Sequence, residues 1–437
     1  MRGNSLAQSR QVDYCTNTSL RPVSPSRILV DVVCVLCVVI MYVDLFHSRD
    51  PEVRMLPHLL RAAILGIFIL VALGALWGRT ESRLSVCLYV YAVVIAVPLV
   101  CASGSTRAQV FELSKLLMWP FGTIAVYVWT LHGHVSRKRI AVVAGLMLVA
   151  ALVKSLSVSL DSSSSIYRTM YAYPYFMLFC IPLLLVNHVG SKRTVCLVAI
   201  AVCAVLLTFK RGALIALCLS VLAYYLGYRR CCASQKRVRV MNRILLLVGL
   251  LVGALVVLYR EDLLLRWGPV FDAGAEDSSG RNIYYSVVLG HWASGSTWTQ
   301  IWGYGMLSVP QSVEDMGHVG AAAHSDWLQL LHNQGVVGVI VFVGIHVAIL
   351  RTIYEGLKNR HPVAPVLAMG AMVFMLANVY SGCTGDPTSM LCYAMLVGYS
   401  AARIKMECRA SKADVRARGA GWRLRGGVVD SGPKTFR

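Results

Sequence analysis

The chain alternates between long apolar runs and short polar segments rich in Lys and Arg. The runs cover residues 28–46, 59–77, 84–103, 110–131, 140–160, 172–189, 194–209, 212–228, 244–259, 334–350, 364–381 and 389–404. Each holds 16 to 22 residues, long enough as a helix to cross a hydrocarbon core of about 30 Å. None shows the two-residue alternation of a barrel strand. The pattern therefore predicts an all-α, polytopic membrane protein with about twelve transmembrane helices. Pro98, Pro120, Pro174 and Pro182 fall in or near runs, which membrane helices tolerate. Gly249 and Gly253 form a GxxxG pair in the ninth run, expected as a packing face.

Between residues 260 and 333 the pattern breaks into one large loop. Within it, residues 281–293 read as an amphipathic helix, with Ile283, Tyr284, Val287, Val288 and Trp292 on one side. Trp267, Trp298 and Trp302 add to an aromatic content too high for a disordered segment.

Composition agrees with a membrane protein. Of 437 residues, 57% are hydrophobic and 14% charged, and the mean hydropathy is +0.62. Soluble domains hold about 45–50% apolar and about 25% charged residues. The net charge of +21, from 42 Lys+Arg against 21 Asp+Glu, would point to nucleic acid in a soluble chain. Here the basic residues sit between apolar runs, where they set orientation, and no nucleic-acid partner is expected. With the N-terminus inside, 30 of them fall on the inner side and 10 on the outer.

That bias predicts an organisation. Residues 1–27 form a cytoplasmic N-terminal segment and 28–259 nine spans. Residues 260–333 form the large outer loop with short helices, 334–404 three more spans, and 405–437 a basic cytoplasmic tail. Reading 194–228 as one uninterrupted helix would put the tail outside. The charge pattern favours a tight hairpin with Lys210-Arg211-Gly212 at its outer tip. The first apolar run, after a polar lead, is expected to stay as an anchor rather than be cleaved as a signal peptide.

Fourteen cysteines do not make a disulfide framework, because most, including Cys34 and Cys37, sit inside apolar runs. The Cys34/Cys37 spacing is read as lipid-embedded core rather than metal or redox chemistry. No cofactor and no metal are expected.

Chemistry concentrates in three places at the expected outer face. One is Phe209-Lys210-Arg211-Gly212. Another is Gly280-Arg281-Asn282 followed by Gly303-Tyr304-Gly305. The last is His324-Ser325-Asp326 running on to Gln334-Gly335-Val336-Val337-Gly338. Asp326 also suits a first-turn helix stabiliser. Lys115 sits one turn from Glu112 and can pair with it. Lys154 can snorkel to the outer surface. Arg107 and Arg168 read as outer-loop charges, and His318 and His332 belong to no motif.

These residues resemble the signature of the O-antigen ligase and O-antigen polymerase superfamily: a His, a small polar residue, nine residues, then Gly-x-x-Gly. Here it reads His324, Ser325, nine residues, Gly335 and Gly338. Gly280-Arg281 through Gly303-Tyr304-Gly305 resembles the segment just upstream, and Arg211-Gly212 the family's Arg-Gly at the outer start of a span. Lys210 stands where the family often has Ser, and Ser325 where it often has Asn.

The resemblance implies a metal-independent, inverting glycosyltransferase of the cytoplasmic (inner) membrane, with its site facing the periplasm. The implied donor is a glycan on undecaprenyl diphosphate. The acceptor is a lipid A-core sugar in a ligase, a growing glycan in a polymerase, or a protein hydroxyl. It implies catalytic roles for His324, Arg211 and Arg281. Guanidinium groups grip a diphosphate bidentately, and His324 can act as base or hold the diphosphate. Lys210, Ser325, Asp326, Lys154 and Lys115 are the expected substrate-binding residues. A secondary transporter is the competing reading. Transporters are often built from repeated halves around a midplane site, whereas this chain has no visible repeat and its distinctive residues gather at one surface.

Overall fold

The computed structural model describes residues 25–46, 55–78, 82–101, 107–161, 173–186, 192–208, 210–232, 234–258, 260–261, 281–309 and 323–425. Trp267, Arg168, His318 and Gly280, and the ends of the chain, lie outside the described residues.

A helix covers each of the twelve apolar runs, and no strand occurs among the described residues. In chain order these are α1 (Pro25–Phe46), α2 (Met55–Trp77), α3 (Arg83–Cys101), α4 (Arg107–Leu131), α5 (Arg137–Asp161) and α6 (Tyr173–Leu185). Then come α7 (Lys192–Leu207), α8 (Arg211–Cys231) and α9 (Gln235–Leu258). The large loop contributes α10 (Arg281–Ser294), where the amphipathic helix was expected, and the short α11 (Thr297–Trp302). Last are α12 (Asp326–Lys358), α13 (Ala364–Tyr380) and α14 (Pro387–Arg425).

Local chemistry sets several boundaries. The segment 194–228 is two helices, as charge predicted. The Thr208 amide donates to Val205 O at 3.2 Å as α7 ends, and Lys210 is extended (φ −74°, ψ 107°) before α8 begins. Asp386 caps α14, accepting from the Thr388 amide at 3.2 Å and the Ser389 amide at 3.3 Å. α12 carries a break at Gly335 (φ 65°, ψ −163°). This left-handed backbone suits glycine and divides the helix into a polar first part and an apolar remainder.

α6 and α13 are apolar on nearly every side and are enclosed by the bundle. α13 packs on α8, α6, α12 and α14, and α4 packs on α2, α3 and α14. An aromatic core joins α3, α4, α12, α13 and α14. Tyr91 lies 5.5 Å from Trp119, Trp119 5.6 Å from Phe374, and Phe374 stacks on Tyr393 at 4.1 Å between ring centroids.

The bundle's outside is apolar as well. Leu70 is 70% exposed and Ile340 62%, and similar residues cover α1, α5 and α8. In water such a surface would be an aggregation liability; facing lipid it is the ordinary condition. Among the described residues, Pro57–Trp77, Arg211–Cys231 and Asp326–Lys358 are each long and apolar enough to cross a membrane. The molecule is a helical membrane protein. Gly249 and Gly253 did not turn out as a packing face within the chain: nothing described comes within 4 Å of the Cβ positions they would have.

Candidate functional site

The site is built around the C-terminal end of α13. There the Ser381 and Gly382 amides both donate to Ala377 O, at 2.9 and 3.1 Å, and Gly382 takes a left-handed φ of 64°. This is the usual way to stop a helix and turn the chain. Three helix starts meet this end.

The first is α8. Gly212 lies so close to Tyr175 that a Cβ there would overlap the tyrosine hydroxyl, and it would sit 3.5 Å from Tyr380 Cβ. Glycine at this position lets the helix start approach α6 and α13. Arg211 is carried to the same corner, half-buried, with no ion pair among the described residues. The Lys210 ammonium sits 4.8 Å from the centre of the Tyr175 ring, a cation–π contact.

The second is α10. The Tyr285 hydroxyl donates to Val379 O at 3.4 Å, and the Tyr284 ring meets His324 edge-on, 6.5 Å between centroids. Arg281 opens this helix one turn earlier; its side chain is outside the described residues.

The third is α12. His324 is exposed and holds a left-handed φ of 53°, a backbone state that costs a non-glycine residue about 1–3 kcal/mol. Ser325 and Asp326 face inward. The buried Ser325 hydroxyl donates to Asn378 O at 3.3 Å. Asp326 is 4% exposed and its carboxylate accepts from the Cys383 amide at 2.7 Å, the Thr384 amide at 3.2 Å and the Thr384 hydroxyl. The loop joining α13 to α14 is thus pinned under His324. A Cβ on Gly382 would lie 3.7 Å from the His324 carbonyl carbon.

The electrostatics follow from this arrangement. Neither α8 nor α10 has an acidic residue in its first turn, and the one in α12 is spent on the α13–α14 loop. The starts of α8, α10 and α12 thus approach one end of α13 without an exposed carboxylate in their first turns to offset their free amides. Lys115 is engaged with Glu112 at 2.8 Å. The pair stands beside the same loop, with Glu112 Oε1 3.3 Å from where a Gly385 Cβ would be. Lys154 lies on α5, and its side chain is outside the described residues. The arrangement suits an anion at this end of the bundle.

A second constellation locks the loop's helices onto α12. His332, fully buried, has both ring nitrogens engaged. Nε2 lies 2.9 Å from His291 Nδ1, and Nδ1 lies 2.9 Å from the Ser308 hydroxyl. That hydroxyl also reaches Gly305 O at 2.8 Å and Asn333 Oδ1 at 3.0 Å. Those oxygens accept only, so the consistent assignment puts a proton on His332 Nδ1 and has Nε2 accept from His291. Tyr304 stacks on His332 at 4.8 Å and its hydroxyl donates to His291 O at 3.0 Å. The Tyr304 and Gly305 amides donate to His332 O and Asn333 O at 2.9 and 3.0 Å.

The glycines of the motif make this lock possible. A Cβ on Gly303 would overlap the Asn333 backbone, and one on Gly335 would overlap Ile301 O. Both also need a positive φ, 83° and 65°. Sequence reasoning named these glycines but missed His291, Ser308, Asn333, Asn378 and Thr384. The glycine spacing was a signal for the lock. Thr384 had none, because nothing in a turn between two apolar runs says which carboxylate it will meet.

Residues 196–343 match a family model described as O-antigen ligase. The matched stretch contains Lys210, Arg211, Arg281, His324 and the whole Gly303–Gly335 lock. No curated protein matches the chain.

Proposed function

We propose that this chain, with its O-antigen ligase domain over residues 196–343, transfers a glycan from undecaprenyl diphosphate to an acceptor hydroxyl at the outer face of the cytoplasmic membrane. One observation carries the reading: the starts of α8, α10 and α12, bearing Arg211, Arg281 and His324, gather around one end of α13. A binding corner at one end of the bundle suits a lipid-headgroup substrate better than the midplane site of a transporter.

In this mechanism the acceptor oxygen attacks the anomeric carbon from the face opposite the diphosphate. The carbon–oxygen bond to phosphorus breaks, and configuration inverts. The electron pair stays on the diphosphate, where Arg211, Arg281 and the helix amides stabilise the growing charge. His324, exposed above the corner, takes the acceptor proton. Charge stabilisation is assigned to guanidiniums rather than to a metal, so chelator should leave transfer unchanged. Lys210 supports the donor from beside Tyr175. Ligase and polymerase share this donor chemistry and differ only in the acceptor.

The assay is transfer from purified lipid-linked donor. Arg211→Ala and Arg281→Ala should each lower it by about 10²-fold or more, at normal abundance. Lys at either position should rescue poorly, because one ammonium lacks the bidentate fork. Near-normal transfer by Arg211→Ala would remove this corner from the reaction. Orientation is tested separately by reporter fusions. Ser234 and Ser411 should report the cytoplasm and Gly317 the outside; an outside signal at Ser411 would overturn the twelve-span arrangement.

A further inference from the structure

We infer that α11 is an interfacial anchor whose Trp298–Trp302 face lies in the headgroup–acyl boundary of the membrane at the site end. One side of α11 is committed to α12, with Ile301 O against Gly335 and Gly303 against Asn333. The other side shows Trp298, 70% exposed, and Trp302, 40% exposed, with ring centroids 5.8 Å apart. Ile301 is exposed beside them.

These rings continue a surface that already faces lipid. Beyond Gly335, α12 exposes an apolar stripe from Val336 through Ile340, Val343 and Val347 to Tyr354. At 1.5 Å per residue that stripe is about 27 Å long, close to the hydrocarbon thickness of about 30 Å. Its length leaves little room for the boundary to fall elsewhere, so α11, docked at Gly335, sits at one edge. Tyr354 marks the other, next to Arg351 and Lys358. Aromatic rings at both edges and basic residues at one are the ordinary furniture of a membrane boundary.

The indole N–H groups support this placement. Trp292, on the inner side of the loop, donates to Gln300 O at 3.2 Å. The Trp298 and Trp302 indoles have no hydrogen bond within the described residues, as suits rings whose N–H meets headgroups. Because α11 is fastened to α12 through the same backbone that carries His332 and Asn333, anchoring it also fixes the height of His324 above the lipid.

The test uses the full chain in phospholipid vesicles with radiolabelled acyl chains. p-Benzoylphenylalanine replaces Trp298 or Trp302, with Ile340 as the lipid-facing reference. Photolysis should give lipid adducts at both positions within about threefold of the Ile340 yield, since all three lie in or at one membrane boundary. Adducts at Ile340 without adducts at 298 and 302 would overturn the inference, as would adducts there to an added lipid-linked glycan rather than to phospholipid. An independent reading needs no photolabel: quenching by shallow-brominated lipid should fall in the Trp298→Phe/Trp302→Phe variant. Unchanged quenching would also overturn it. Neither measurement depends on glycan transfer, so the anchor and the proposed reaction fail separately.

Discussion

Two histidines two helical turns apart, His324 and His332, live in opposite surroundings. His324 is exposed, precedes α12 in a left-handed backbone, and overlooks the corner where Arg211 and the α10 start meet α13. His332 is fully buried, clustered with Tyr304 and His291, whose rings also touch each other, with both ring nitrogens in hydrogen bonds. The difference teaches how to divide labour among polar residues in this domain. A group whose hydrogen-bonding capacity is filled by its own protein can only hold the structure. One presented to the outside on a strained backbone, maintained by the structure beneath it, is the group to which the proposed reaction assigns the acceptor proton.

The sharpest way to break that contrast is to delete each ring. His324→Ala should lower transfer by about 10²–10⁴-fold, with the melting temperature in detergent unchanged. His332→Ala removes the ring that both His291 Nδ1 and the Ser308 hydroxyl bond to and leaves a gap at a fully buried position, a cost of about 1–3 kcal/mol. Abundance and thermal stability should fall, and the protein that remains folded should keep its activity per molecule. A stable but inactive His332→Ala would show that the buried pair takes part in the chemistry and would undo the division.

Next in size come the glycines that hold the lock. Gly303→Ala or Gly335→Ala forces a Cβ into backbone atoms at a positive φ, for about 1–3 kcal/mol of strain before any clash is counted. Both should lose stability together, since they face each other across one interface, and the double variant should cost less than the sum. Full additivity in thermal melts would mean that the two glycines do not share a contact.

Smaller again is Asp326→Asn. It keeps the shape but swaps one acceptor oxygen for a donor opposite the Cys383 and Thr384 amides. The expected loss is about 1–3 kcal/mol in stability, with a modest drop in transfer as the loop under His324 loosens. A collapse of activity like that of His324→Ala, at unchanged stability, would instead make Asp326 a participant in proton transfer.

The smallest expected effect is at Lys115. Its ion pair with Glu112 is about a quarter exposed on each side, so Lys115→Met should change stability by no more than about 1 kcal/mol. If transfer nonetheless falls tenfold, Lys115 belongs with the donor diphosphate and the pair in the resting structure is a storage position.

Much was legible because hydrophobic blocks act locally. Every apolar run became a helix, and the amphipathic stretch at 281–293 became α10, because main-chain hydrogen bonds in a helix close within the segment. The break at Lys210 was readable too, since two charges do not sit in hydrocarbon. The catalytic candidates were readable only as a motif order along the chain. That His324 is exposed while Ser325 and Asp326 turn inward does not follow from three adjacent polar letters.

The amino-acid sequence by itself determined that this is a helical membrane protein, where its apolar helices lie, and which glycines and arginines are unusual; it did not show that α9 and α12 start eight or nine residues before their apolar runs or that α14 continues to Arg425. Tertiary structure alone decided that Arg211 and His324 flank the same helix end, that Asp326 is consumed by Thr384, and that His332 belongs to a lock with His291. The physical reason is range. Helix formation and lipid burial are settled by neighbours within a few turns, whereas a hydrogen bond such as Asp326 to Cys383 joins residues far apart in the chain, and it forms only once the bundle has brought α12 and the α13–α14 loop together.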